Sequence, residues 1–261
     1  MISLEAHNLT VAYDKVPVLW DIDFELPTGK IIGIIGPNGS GKTTLLKTIM
    51  GLIKPASGYV KVFEQDLDEV RQRVAYVPQR ESVDWDFPAS VQDVVEMGRY
   101  RKNSLFRRLT QTDKEIVANA IEKVKLTAFK DRQISQLSGG QQQRVFIARA
   151  LAQGADIFFM DEPFVGVDAT TETAILDLLT TMRDEGKTVV IVHHDLQTVS
   201  GYFDHLVLLN TRVIACGPTA EVLTQENLSN AYGGQLTLLS KIQSIIKEKE
   251  FPIREKGFEK R

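Results

Sequence analysis

Apolar and polar positions follow two rhythms along this chain. Four short runs are apolar at nearly every position and rich in β-branched or aromatic residues: 31–35, 74–78, 157–160 and 188–192. Runs of that length without polar alternation read as strands buried on both faces, as in a parallel sheet. Between them the spacing turns helical. Residues 43–50 follow the first run after a glycine-rich loop. Residues 112–124 place Ile116, Ala120 and Lys123-Val124 at helical spacing. Asp113 and Glu115 stand near their start, where a helix dipole favours acids. Residues 141–151 put Val145, Ala148 and Leu151 on one stripe, and residues 168–185 read as a further helix. Strands interleaved with helices in this way predict an α/β fold.

Composition narrows the class. A chain of 261 residues can bury one sizeable core with a subdomain. The net charge of −3 and a pI of about 5.9 offer no basic footprint for nucleic acid. The single cysteine, Cys216, excludes an intrachain disulfide, and is expected as a small apolar filler at a strand end. No run approaches the ~20 apolar residues of a membrane span. Residues 1–5 lack the charged-then-apolar form of a signal peptide. A soluble intracellular protein is expected, reaching a membrane only through a partner. Near the C-terminus, Leu238, Ile242, Ile245 and Ile246 share one helical face, followed by the charged run Lys247-Glu248-Lys249-Glu250. That helix could pack on its own core or contact another subunit.

The chemistry begins directly after the first strand. Gly36-Pro37-Asn38-Gly39-Ser40-Gly41-Lys42-Thr43-Thr44 contains a full G-x-x-x-x-G-K-[ST] pattern. Strand, glycine loop and helix is the context that a phosphate cradle requires. The glycines let backbone N–H groups approach phosphate oxygens, and the helix N-terminus adds partial positive charge. Lys42 is expected to reach the β- and γ-phosphates and Thr43 to ligate Mg²⁺.

The strand 157–160 delivers Asp161-Glu162 at its end. Ligands of open α/β sheets gather at the carboxyl ends of strands, so Asp161 is expected beside the cradle, holding Mg²⁺. Glu162 is the candidate for polarising the attacking water. A second glycine turn, Leu137-Ser138-Gly139-Gly140-Gln141, opens the helix 141–151. Ser138 can cap that helix, and the same N-terminus can bind a γ-phosphate; both can hold together. Two phosphate-facing surfaces in one chain point to an ATPase that clamps nucleotide between two subunits.

With both motifs in this order, residues 1–220 resemble the nucleotide-binding subunit of an ATP-binding-cassette (ABC) transporter. The resemblance implies a P-loop NTPase core with an antiparallel β part and an inserted α-helical subdomain. It divides the chain into a nucleotide-binding domain over 1–235, with the helical subdomain at about 89–156, and a C-terminal helix and charged tail over 236–261. It implies ATP and Mg²⁺ as cofactors. It gives Tyr13, by itself an ordinary surface tyrosine, a stacking role on adenine. Gln79 becomes the glutamine that contacts Mg²⁺ or the attacking water. Asp168 becomes the aspartate that speaks across a dimer, and His194 the histidine that bonds the γ-phosphate. His193 is left structural, because adjacent residues of a strand point to opposite sides.

One departure stands out. The family commonly has Ser or Thr and a Leu ahead of that aspartate, whereas this chain reads Phe164-Val165-Gly166-Val167-Asp168. Residues 79–88 and 94–100 are similar to ATPases of metal-chelate importers, manganese first, then iron or siderophore and zinc. The resemblance therefore implies a homodimer beneath two integral membrane permease subunits, at the cytoplasmic face of the membrane. An extracytoplasmic metal-binding protein would serve it indirectly. A soluble ABC ATPase acting on DNA or cluster assembly is the alternative of another class; its DNA-repair members carry long coiled-coil insertions, absent here. A small-molecule P-loop kinase has no use for the second glycine turn.

Overall fold

The computed structural model describes residues 1–14, 16–100 and 109–233. Its strands and helices are β1 (Ile2–Tyr13), β2 (Val16–Pro27), β3 (Ile31–Ile35), α1 (Lys42–Ile49), β4 (Ser57–Val62), α2 (Leu67–Val70) and β5 (Val74–Val77). Three helices follow, α3 (Val91–Glu96), α4 (Gln111–Lys123) and α5 (Gly139–Gln153). The chain then returns to the sheet with β6 (Ile157–Asp161), α6 (Ala169–Asp184), β7 (Thr188–Val192), α7 (Val199–Tyr202), β8 (His205–Asn210) and β9 (Arg212–Pro218). It closes with α8 (Thr219–Val222) and α9 (Gln225–Tyr232). The C-terminal helix expected over 236–261 lies outside the described residues.

Six strands form one sheet in the order β5-β6-β7-β3-β8-β9, parallel except at β8/β9. The apolar runs are continuous because both faces of this sheet are covered. Phe158 and Met160 of β6 face one core with Ile31 and Ile35, beneath α3 to α6. Ile157 and Phe159 face the other core with Ile32 and Ile34, beneath α1. A separate antiparallel sheet, ordered β2-β1-β4, closes that second core. It alternates as a half-solvated sheet does: Ile22, Phe24 and Leu26 point inward while Asp21, Asp23 and Glu25 are exposed.

The helices begin where their sequence stops competing for backbone. Ser90, Thr110 and Ser138 cap α3, α4 and α5, each in a reciprocal box with the residue three positions on. On α4 the buried stripe is Val117, Ala120 and Ile121. Lys123, read from sequence as part of that stripe, is exposed and donates to Glu185 at 2.9 Å. Cys216 sits within the edge strand β9, opposite Val207, and is exposed rather than a filler at the strand's end.

Candidate active site

Strands β5, β6, β7 and β3 are lateral neighbours, so their carboxyl ends bring four loops side by side. From β3 comes the cradle. Gly36 passes so close to the Leu209 carbonyl that any Cβ there would overlap it. Lys42 is 7% exposed and donates to the carbonyls of Gly36 and Pro37, both at 2.9 Å. Burial pulls its pKa down, while the charges of Glu162 and Asp161 pull it back up. The Ser40 hydroxyl is buried in the same loop without a hydrogen-bond partner.

Thr43, in the first turn of α1, places its hydroxyl 3.5 Å from Asp161 Oδ1. Asp161 is 2% exposed, and burial first, then the charge of Glu162, push its pKa up. A buried carboxylate facing a hydroxyl is an all-oxygen donor set, which suits Mg²⁺. Gln79, at the end of β5, is turned elsewhere: its amide donates to Glu162 Oε2 at 3.3 Å.

Glu162 is the junction of the site. Gln79 holds one carboxylate oxygen, and His194 Nδ1 lies 3.4 Å from the other. Its backbone has φ of +50°, a left-handed conformation that is unusual for a glutamate, fixed by its N–H donating to the Val192 carbonyl at 3.1 Å. Strain of this kind collects where a side chain must be aimed. A carboxylate steered by an amide and an imidazole, next to a phosphate cradle, can accept a proton from water.

The two histidines differ in burial. His193 is 4% exposed, bonds Thr198 Oγ1 at 2.8 Å, and burial lowers its pKa to about 4. Their rings nevertheless stand only 5.9 Å apart, because β7 ends at Val192 and strand alternation no longer applies.

The second glycine turn is bonded within its own helix start. Ser138 Oγ accepts from the Gln141 N–H at 3.4 Å, and Gln141 Oε1 accepts from the Ser138 N–H at 2.9 Å. Among the described residues, no hydrogen bond joins residues 138–141 to the cradle, Asp161 or Glu162 in the same protomer. Asp168 caps α6 by accepting from the Thr171 N–H at 3.0 Å and the Thr171 hydroxyl at 2.8 Å. Gly166, within the stretch that departs from the family pattern, has φ of +71°, in the left-handed region that glycine adopts readily. Tyr13 ends β1 and is 48% exposed, free to stack on a planar ligand.

Two features escaped sequence reasoning. Arg80 donates through Nε to Gln142 Oε1 at 3.0 Å, joining the loop after β5 to α5. A groove of about 870 Å³ runs between core and helices, lined by residues including Met50, Arg71, Tyr76, Met97, Tyr100 and Arg149. Residues 97–100 of the segment singled out in the sequence enter it; residues 79–88 do not. Trp85 of that loop packs edge-on against Phe146 at 5.3 Å, and Phe87 is exposed.

A model of the ABC transporter family matches residues 19–165. The manganese transport system ATP-binding protein MntB of Bacillus subtilis is 58% identical over 239 residues, covering 92% of this chain and 96% of that protein. The zinc transport system ATP-binding protein TroB of Treponema pallidum is 56% identical over 235 residues, 90% of this chain and 88% of that one. Among solved structures, an ABC transporter described as metal-chelate type, in an inward-facing conformation, superposes with a TM-score of 0.78. It is 29% identical, with 89% of each chain covered. Cradle, paired acids and glycine turn thus stand in a chain that matches these relatives over most of its length, and the chain belongs to the ABC transporter family as one of its ATP-hydrolysing subunits.

Proposed function

We propose that this chain hydrolyses ATP to drive uptake of a divalent transition metal, with Mn²⁺ as the first cargo. The observation that carries the reading is the Gln79–Glu162–His194 junction beside the cradle, in a chain 58% identical to a manganese-system ATPase. Lys42 and the loop N–H groups hold the β- and γ-phosphates. Thr43 and Asp161 would hold Mg²⁺ through their oxygens, and the ion would supply charge neutralisation at the phosphates. Gln79 orients the attacking water, Glu162 takes its proton, and His194 bonds the γ-phosphate.

The site as described is half complete. Ser138, Gly139, Gly140 and Gln141 serve the γ-phosphate of a second copy, with Asp168 at the same crossing, so two protomers enclose two nucleotides head-to-tail. ATP binds the closed pair better than the open one, and hydrolysis removes that preference. The groove lined by Tyr76, Met97 and Tyr100 receives a helix from one permease subunit at the cytoplasmic face of the membrane, and the same groove of the second copy receives one from the other permease. An extracytoplasmic metal-binding protein delivers the cargo to the permeases. Among the described residues no helix is long and apolar enough to cross a membrane. Zinc is the second reading, favoured by the 56% identity to a zinc-system ATPase.

Uptake of labelled Mn²⁺, Zn²⁺ and Fe²⁺ by cells with and without the gene product tests the cargo. Loss of Mn²⁺ uptake alone supports the first reading, and loss of Zn²⁺ uptake alone replaces it by the second. Unchanged uptake of all three ends the importer proposal.

A further inference from the structure

Arg80 stands where three segments meet. It directly follows Gln79 and opens a short 3₁₀ turn, and its carbonyl accepts from Trp85 Nε1 at 2.8 Å. Its side chain crosses to α5, where Nε donates to Gln142 Oε1 at 3.0 Å. Gln142 is 4% exposed and is itself fixed by donating Nε2 to the Ile134 carbonyl at 3.0 Å. A Cβ placed on Gly139 would lie 3.1 Å from the guanidinium carbon, so the plane of Arg80 lies against the glycine turn itself. A Cβ on Gly166 would lie 3.8 Å from a terminal nitrogen of the same guanidinium. Among the described residues Arg80 has no carboxylate within ion-pair distance. Its charge is therefore not spent on a local acid.

The glycine turn and the segment before α6 are also tied to each other. A Cβ on Gly140 would come within 2.7 Å of the Thr171 methyl, and Thr171 holds Asp168 by two hydrogen bonds. The N-termini of α5 and α6 are thus packed against each other, and among the described residues Arg80 makes the side-chain hydrogen bond from the loop carrying Gln79 to α5, beside the packing of Trp85 on Phe146.

We infer that Arg80 is a positioning residue: a strut through which the loop after β5 sets where residues 138–141 and Asp168 stand for the nucleotide held by the facing protomer. This rests on the head-to-tail reading above. A planar guanidinium suits the task because it can bond in its plane at Gln142 while its face lies flat on a glycine. The strut makes a distinctive demand. Removing it leaves the protomer's own cradle untouched, and harms only the surface offered to the second copy.

The test uses the full chain in a Glu162→Gln background, with two readouts: ATP affinity of the monomer at high dilution, and ATP-driven dimerisation by sedimentation. Adding Arg80→Ala is expected to leave monomer affinity within about twofold and to weaken dimerisation roughly 10- to 100-fold, the scale of a mispositioned contact. Arg80→Met keeps the aliphatic stem but not the Nε–H, and is expected to resemble alanine. If Glu162→Gln alone does not dimerise with ATP, the head-to-tail reading fails and takes the strut with it. If it dimerises and Arg80→Ala changes nothing, the strut is overturned while that reading stands. An equal loss of monomer affinity would place the effect on the chain's own cradle or its folding, and Met behaving as Arg would assign it to packing; either overturns the inference.

Discussion

Glu162 concentrates the chemistry into one side chain, and its neighbours define what each substitution should do. Glu162→Gln keeps the amide and imidazole contacts nearly isosteric but removes the base, so ATP should still bind while turnover falls about 10²–10⁴-fold. A variant that hydrolyses at the normal rate removes Glu162 from that role. Lys42→Ala removes a charge from a buried loop, and nucleotide affinity should drop about 10- to 100-fold, measured by equilibrium binding. Unchanged affinity would take Lys42 out of the cradle. His193 makes a prediction of a different kind. Its pKa is depressed to about 4 by burial, below the ~6.5 of the unfolded chain, so the unfolded state binds the proton first. Its contribution is fully present above pH 6.5 and is lost as pH falls toward 4. Stability should fall by roughly 2 kcal/mol between pH 7 and pH 5, and His193→Gln should flatten that part of the profile in denaturant titrations. An identical slope in both proteins would contradict the assignment.

The elements show which parts of this architecture a sequence can carry. Strands β3, β6 and β7 were legible because both faces of the sheet are buried, and every residue from Ile31 to Ile35, Ile157 to Asp161 and Thr188 to Val192 is enclosed. Phe159 lies between the two sheets, and Phe159→Ala should cost about 3–5 kcal/mol in chemical denaturation; a loss below 1 would mean the second core is not shared. The antiparallel sheet came only through family resemblance. Its alternation is real, yet register shifts after Ala6, Leu9 and Val11 break the period-two pattern along β1. Lys42, Thr43, Asp161 and Glu162 were singled out by motif and spacing and Gln79 and His194 by family resemblance, whereas Arg80 was not, since an arginine after a glutamine has no signature until the fold shows Gln142 beneath it. The same holds for Gly140 against Thr171. Gly140→Ala should tilt α5 from α6 and lower stability by roughly 1–3 kcal/mol, and adding Thr171→Ser, which deletes the opposing methyl, should restore part of it. If the double variant is no better than the single, the contact does not set that spacing.

At the scale of the whole molecule, the cradle and the glycine turn belong to separate hydrogen-bonded groups. Lys42, Asp161 and Glu162 cluster at the ends of β3 and β6, while, among the described residues, 138–141 bond only within their own helix start. In the head-to-tail arrangement proposed above, one protomer offers a phosphate cradle to its own nucleotide and a second phosphate-facing turn to another. The measurement that bears on this most directly is the rate of ATP hydrolysis per chain as the full-length protein is diluted. Enclosure by two copies predicts that the rate per chain falls toward zero on dilution, and recovers with protein concentration as the ATP-bound pair forms. A rate per chain that stays constant to the lowest concentration, with only monomer present alongside uncleaved ATP, would contradict it.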